Sequence, residues 1–348
     1  MSTARTIPVW SPVGDATSDW FETPPPAGAV HDVVVVGAGI AGLTTAACLL
    51  REGRQVLVVD REGVGAGETL RTTAHLASAL DDRFTLLQRH HGKDGARLAA
   101  ASHAVAIDWI EDLAAGVPDC GFRRVPGYLY SHTGDEQGLR QEMEAAGESG
   151  LEVHWCEAGE ALPARFGAAI RFAAQARLDA GAYMLALARE VRDAGGRFLR
   201  ADVRRITGGD EPLLHLADDT VLRARAVVAA GNVPFHGTTA TFPKQAPYRT
   251  YVVAGRVPAG TVPDALIWDD ADPYHYVRLR ETLDPAWMEI LVGGEDHKTG
   301  QDDDPEAYVR LQDWTRERFP QVESFHAAWS GQVLEPADGL AFIGADPH

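Results

Sequence analysis

The stretch HDVVVVGAGIAGLTTAACLLREGRQVLVVD, residues 31–60, carries glycines at 37, 39 and 42 in the spacing G-x-G-x-x-G. Each glycine has its own physical task. Gly37 permits a tight turn, Gly39 lets a pyrophosphate approach the backbone, and Gly42 lets the following helix pack close to the preceding strand. The free amides and positive dipole end of that helix favour an anion, so a diphosphate needs no lysine there. Asp60 lies 18 residues beyond Gly42, near the spacing of about 20 at which an acid accepts hydrogen bonds from an adenosine ribose. A glycine-rich turn alone is a weak signal, because an ordinary strand-to-helix connection also uses one. A strand before it, a helix after it and a closing acid make it specific to a dinucleotide.

A second set lies in PYHYVRL. Strand alternation puts Tyr274, Tyr276 and Arg278 on one face and His275, Val277 and Leu279 on the other. Two phenols and a guanidinium suit a substrate with an amine or apolar body and a carboxylate, which arginine grips through two parallel hydrogen bonds. The alternative is two ordinary strand aromatics and a structural charge. His275 reads as a core histidine, and His297, in GGEDHKTG, as a loop residue after a strand. His90 and His91 are adjacent and cannot share one helix face, and no carboxylate follows them or His103 at ligand spacing, so these are read as surface histidines.

Stepping outward along the chain, Val33–Val36 is a β-branched apolar run fit for a parallel strand covered on both faces. A helix over 43–52 stops at Gly53, and 55–59 forms the next strand. A glycine-rich loop follows, with hydroxyls and a charge at Thr69, Arg71, Thr72 and Thr73; it suits either a ligand wrap or a tight connection. A helix over 95–115 has Leu98, Val105, Trp109 and Leu113 at helical spacing and ends at Gly116 and Pro118. Short strands over 128–132 and 151–156 are separated by a polar helix rich in Glu and Gln, and after further strands over 170–178 a helix over 182–194 stops at Gly195 and Gly196. The run AVVAA, 226–230, closes on Gly231-Asn232 as a return to the first sheet, separate from a strand at 220–223. Strands over 249–257, 265–268, 274–280 and 288–292 precede a helix over 305–319. The first thirty residues read as an irregular arm with Trp10, Trp20 and Phe21 as anchors and Pro24–Pro26 as a stiff lead.

With 348 residues, two domains are expected. Lys plus Arg is 32 against Asp plus Glu 50, a net charge of −18, which repels phosphate backbones and argues against nucleic-acid partners and anionic membranes. Cys48, Cys120 and Cys156 are isolated, arguing for a reducing, cytoplasmic setting and against a disulfide frame, a zinc site or an iron–sulfur centre on these residues. No apolar run reaches the roughly 18 residues of a membrane span, and the N-terminus lacks the pattern of a secretory signal.

Taken together, VVVVGAGIAGLTTA with Asp60, the RTTAHL loop, FAAQARLDAGAYMLALA, VVAAGN, DDADPYHYVRL, EILVGGEDHKTG and AWSGQVLEPADGLAFIG resemble the FAD-dependent oxidoreductases of the glycine and D-amino-acid oxidase family. They look most like the branch in which a Rieske iron–sulfur domain follows the flavin domain. The resemblance implies an α/β fold: a Rossmann-like FAD-binding domain interleaved with an α+β substrate domain on a mixed, largely antiparallel sheet that roofs the flavin ring. By it, Gly37, Gly39, Ile40, Ala41 and Gly42 contact the pyrophosphate, and Asp60 and Arg61 the adenosine. Arg71, Thr72 and Thr73 lie along the FAD, Val203 near the adenine and Gly231 near the ribityl chain. Asp60 stands where the family more often has Glu. No C-x-H with a later C-x-x-H occurs, so these residues carry no Rieske cluster. The resemblance also implies a further strand, glycine-rich turn and helix after the final residues 344–348, completing the flavin pocket near the anionic edge of the reduced ring.

The expected boundaries are an arm over 1–30, an FAD-binding domain over 31–118, 177–235 and 336–348, and a substrate domain over 119–176 and 236–335. The expected activity is oxidation of the C–N bond of an amine or amino acid by hydride transfer to flavin. An electron-acceptor protein, or a Rieske domain in a longer form, is the expected partner. Two other readings stand beside it: a non-catalytic nucleotide-binding fragment, and an NAD-dependent dehydrogenase. The wide separation of VVVVGAG from VVAAGN by an interposed strand-rich domain favours FAD over NAD.

Overall fold

The computed structural model describes residues 7–10, 13–22, 28–117, 120–233, 244–300, 304 and 306–344. Pro24–Pro26 and Pro118, read above as a stiff lead and a helix stop, lie outside the described residues. Contacts divide the chain into two compact units. One comprises Trp10–Arg71, Ala180–Gln245 and Phe342–His348; the other comprises Met1–Val9, Thr72–Asp179 and Ala246–Ala341. The division differs from the expected boundaries, because residues 72–118 belong with the second unit.

The first unit is built on a seven-stranded sheet in the order Phe21–Glu22, Arg197–Arg200, Val56–Asp60, Val30–Val36, Val221–Ala229, Leu213–Leu216 and Val203–Thr207. The first five are parallel neighbours and the last two pair antiparallel. Val33–Val36 are all buried at the sheet centre, as a strand with both faces covered requires. The helix Ile40–Arg51 buries Gly42, Leu43, Ala46 and Ala47, and the helix Ala180–Asp193 buries Tyr183, Met184, Leu187, Ala188 and Val191. The expected separate strands at 220–223 and 226–230 are one continuous strand, Val221–Ala229. The N-terminal segment is less irregular than its composition suggests. Phe21–Glu22 adds an edge strand, with the Phe21 and Trp20 rings 5.9 and 6.0 Å from that of Phe198.

The second unit carries a nine-stranded mixed sheet. Its main path runs Ser324–Pro336, Gln245–Pro258, Trp287–Lys298, His275–Glu281, Leu266–Asp269, Arg123–Tyr130, Ala169–Arg177 and His75–Leu76, with Val153–Cys156 also pairing Ala169–Arg177. Leu266–Asp269 pairs parallel with Arg123–Tyr130, whereas the ladders from Gln245–Pro258 through Trp287–Lys298 and His275–Glu281 to Leu266–Asp269, and those made by Ala169–Arg177, are antiparallel. The strand Ser324–Pro336, with Trp329 fully buried, has no counterpart in the sequence reading. Alternation along each strand splits two cores. Ile267, Val277, Leu279, Ile290 and Val292 pack on one side; Leu266, Trp268, Leu129 and Ile170 pack on the other with Phe84, Leu87, Ala96 and Ala100.

Those last four come from the helix Phe84–Ala114, which kinks at Gly92 (φ 70°, ψ 172°). The apolar stripe read from its spacing is not the buried one. Leu98 and Val105 are 73% and 65% exposed, while Ala96, Ala99, Ala100 and Ile107 face inward. Small residues permit a close helix-to-sheet approach, so size rather than hydrophobicity selected the inner face. The start of this helix is held by Glu142, itself 5% exposed, from the helix Glu136–Glu148. The Phe84 and Thr85 amides donate to its two oxygens at 2.7 and 3.0 Å, and the Thr85 hydroxyl adds a third bond at 2.9 Å. Bonds to a charged acceptor are worth about 1.5–3 kcal/mol each. Glu142→Ala is therefore expected to lower unfolding free energy by about 3 kcal/mol or more, seen as a lower urea midpoint at unchanged slope.

Candidate functional site

The turn between the strand Val30–Val36 and the helix Ile40–Arg51 leaves no space for side chains. Gly37 adopts φ 113°, and a β-carbon there would stand 2.5 Å from the Ala230 carbonyl oxygen and 3.4 Å from the Gly231 nitrogen. A β-carbon on Gly42 would fall 1.9 Å from the Gly37 oxygen. The expected convergence of Gly37, Gly39, Gly42 and Gly231 is thus present within the first unit. Gly39 is the N-cap with no side-chain cap, and the first turn holds no acid. Its leading amides, which a helix cannot satisfy internally, are left to an incoming anion. The Ile40 amide donates to the Thr69 hydroxyl at 3.1 Å. A hydroxyl in that position accepts from the helix and still has a proton to donate to a phosphate oxygen.

Asp60 has more partners than a ribose. Its Oδ2 accepts from the Ala38 amide at 2.9 Å, and its Oδ1 from the Glu62 and Gly63 amides, both at 2.8 Å. The carboxylate ties the glycine turn to the end of the second strand, and three bonds leave part of its four-site capacity for a hydroxyl. Arg61, expected on the adenosine, is an exposed side chain paired with Glu62 at 3.3 Å. Val203 is buried at the start of an outer strand. Arg71 closes a short 3-10 turn. In the second unit, the Thr72 hydroxyl accepts from the Ala74 amide at 2.9 Å, and the Thr73 hydroxyl meets His75 Nδ1 at 3.0 Å.

The sheet of the second unit presents Tyr274 and Tyr276 on one face, with ring centroids 5.6 Å apart. Tyr276 is fixed from several sides. Its hydroxyl is 2.8 Å from the Thr250 hydroxyl, the His75 ring stands edge-on at 5.4 Å, and its own ring lies over Gly293, where a β-carbon would fall 2.0 Å from Cζ. Burial raises both phenols well above their ordinary range; the Asp296 charge adds to this at Tyr276, and those of Asp81, Asp296 and Glu335 at Tyr274. His75 is held down to about 3 by burial and by Arg278, so its ring is neutral. Asp296 is pushed up to about 7 by burial, with help from Glu335 and Asp81.

Arg278 departs from the role its spacing suggested. It is 1% exposed, and its Nη1 donates to the carbonyls of Ala74 and Leu178 at 2.7 and 3.0 Å while Nε donates to that of Leu279 at 3.2 Å. Burial and the neighbouring Arg177 and Arg280 lower it to about 9. The expected two-pronged grip on a carboxylate is replaced by a grip on main-chain carbonyls, including that of Ala74 with its positive φ of 54°. Arg278 thus positions the 72–76 loop. His275 lies on the opposite face as read, 7% exposed, stacked on Trp314 at 4.3 Å and bonded through Nδ1 to Asp269 at 3.0 Å. His75 and Asp296 lie inside the RTTAHL and EILVGGEDHKTG stretches and Thr250 in neither; none of the three was singled out, because they come from three strands far apart in the chain. Among the described residues no group of acids, histidines and cysteines is arranged to hold a metal.

The family description "FAD dependent oxidoreductase" matches residues 32–348. The chain belongs to this family. Among relatives, the Rieske 2Fe-2S iron–sulfur protein YhfW of Bacillus subtilis is 28% identical over 319 residues, covering 90% of this chain and 62% of that protein. This chain therefore spans less than two thirds of that relative's length. D-amino acid dehydrogenase 2 of Ralstonia nicotianae is 25% identical, covering 90% of this chain and 89% of that protein. Glycine oxidase from Geobacillus kaustophilus has the same fold, with a TM-score of 0.74 at 20% identity over 91% of this chain and 86% of that one. Membership of a flavin family sets aside the NAD-dependent reading, and the open amides, glycine cradle and Thr69 hydroxyl are a donor set that fits the FAD diphosphate.

Two outcomes follow. Gly42→Ala, which drives a methyl group into a backbone carbonyl, is expected to cost at least about 1–3 kcal/mol and to yield protein without visible flavin absorbance. Asp296 keeps its proton to about pH 7 in the folded chain against an ordinary value of 3.8, so folding binds a proton between these values and this group's contribution to stability falls as pH rises through that window. The Tm of Asp296→Asn should accordingly decline less than wild type between pH 4 and 7.

Proposed function

We propose that this chain holds FAD along Gly37, Gly39, Ile40, Ala41 and Gly42 and oxidises the C–N bond of a small amine or amino acid. The observation that carries the reading is the uncapped, acid-free helix start whose glycines admit no side chain. The named activities of the D-amino acid dehydrogenase and glycine oxidase relatives support the substrate class. Bound FAD supplies the hydride acceptor. Asp60 offers its remaining acceptor capacity to the ribose, and Arg71, Thr72, Thr73, Val203 and Gly231 keep the places along the cofactor that the family resemblance implies. Arg61, exposed, adds at most a peripheral charge.

Tyr274 and Tyr276 act as neutral hydroxyls and ring faces that orient the substrate and exclude water. The carboxyls of Asp81, Asp296 and Glu335 lie near Tyr274 and are each raised by burial, so this face offers an amine hydrogen-bonding groups in a desolvated setting. A protein electron acceptor, or a Rieske domain in a longer form, fits the relationship to YhfW. A cytoplasmic setting fits the free Cys48, Cys120 and Cys156; no helix among the described residues is long and apolar enough to cross a membrane.

The test is the visible spectrum of the purified chain before and after anaerobic addition of amines and amino acids. Flavin bands that bleach within seconds to minutes are expected. Bands that persist with every compound would leave a nucleotide-binding module without this chemistry, and a colourless protein would remove the reading altogether.

A further inference from the structure

The helix Phe84–Ala114 carries large apolar side chains on its outer side. Beyond the kink at Gly92, residues 93–114 form one uninterrupted stretch, about 33 Å long at ~1.5 Å per residue. Ala96, Ala100, Ile107 and Ala114 bury one side of it. Leu98, Val105 and Trp109 recur at i, i+7 and i+11 on the opposite side, Leu98 and Val105 exposed and Trp109 half-buried. Single exposed leucines and valines are ordinary. Here they line up along one helix whose inner face is already filled by smaller residues, so the packing of one copy leaves Leu98 and Val105 in water. Between them Ala101 and Ser102 are exposed and small, which lets a second helix approach to about 8–10 Å.

The charges beside this stripe are self-complementary. Two copies of the helix laid antiparallel about a point midway between Ser102 and Val105 set Leu98 against Trp109 of the partner subunit and Ser102 against Val105 of the partner subunit. A two-fold axis makes each contact twice. Arg97, on the flank of the stripe, then falls between the partner's Asp108 and the partner's Asp112. All three side chains are exposed in one copy. Arg97 there makes a surface pair with Asp94 at 2.8 Å, which is worth little against water. Asp108 is steadied by Arg124 at 2.5 Å, and a carboxylate has acceptor sites for both cations. A parallel pair about the same stripe brings Asp94 beside the partner's Asp94 and Asp112 beside the partner's Asp112, like charge on like.

We infer that this stripe is the seam of a homodimer: two copies of the chain pack antiparallel through Leu98, Ser102, Val105 and Trp109, with Arg97 bridging the partner's Asp108 and the partner's Asp112. The net charge of −18 makes one copy repel another in general, so association needs a place where cations of one meet anions of the other, and this helix supplies it twice. One helix against one helix lies near the small end of stable interfaces, which begin at about 1,200 Å². The dimer is therefore reversible and in the micromolar range.

The test is sedimentation velocity of the purified full chain between about 1 and about 200 μM, since association follows mass action. The mass should rise with concentration from 37.5 kDa toward twice that value. Val105→Glu should hold the chain at the monomer mass throughout while its Tm at the lowest concentration stays that of wild type, because the position faces solvent. Arg97→Asp and Asp112→Arg should each weaken association tenfold or more. Combined, the two should restore it to within about threefold of wild type, the coupling that a contact in trans produces. A wild-type chain that stays monomeric at the highest concentration overturns the inference and leaves the stripe to a different partner. A dimer that survives Val105→Glu also overturns it, because its contact then lies elsewhere, and so does a combined variant no better than the single ones. Should Val105→Glu not fold, Leu98→Ser and the charge exchange decide by the same criteria.

Discussion

The contact on which the first unit depends is the approach of one backbone to another at Gly42, whose missing β-carbon leaves room for the Gly37 carbonyl oxygen 1.9 Å from where that carbon would lie. Seated this low on the sheet, the helix Ile40–Arg51 begins directly above the end of the strand Val30–Val36. Ala230 and Gly231, which follow the strand Val221–Ala229, stand against Gly37 in that turn. Asp60 completes the arrangement by binding the Ala38 amide across from the neighbouring strand. An anion site follows from packing alone, with no charged side chain at its centre.

In the second unit the governing constraint is the two-sidedness of the strand His275–Glu281. One face is committed to the core through Val277 and Leu279, with His275 stacked flat on Trp314. The other carries Tyr274 and Tyr276 and a set of polar groups that burial keeps uncharged: two raised phenols, a neutral His75, and Asp296 near neutrality. Desolvation disfavours the charged form of each. The face therefore offers hydrogen bonds and ring surface, and its permanent cation, Arg278, is turned to main-chain carbonyls.

Much of this was legible in the residues. The glycine spacing, the valine run and Asp60 are local features whose structural meaning does not depend on distant neighbours, and strand alternation placed Tyr274, Tyr276, His275 and Val277 on their proper faces. What could not be read was set by long-range packing. Leu98 and Val105 have the spacing of a buried stripe, yet the sheet selected the alanines beside them. Arg278 was assigned by its chemistry alone, whereas its partners are the carbonyls of residues 74 and 178, far away in sequence.

The Glu142 cap ties the opening of one helix to the presence of another made later. Until the segment 136–148 is in place, the first turn of the helix Phe84–Ala114 has unsatisfied amides, and the Gly92 kink interrupts support from its longer half. Residues 84–91 are thus the part of that helix that a nascent chain orders last. In the finished protein, any fluctuation that lifts the segment 136–148 also frays those turns, so amide exchange at the two places should rise and fall together as one cooperative unit.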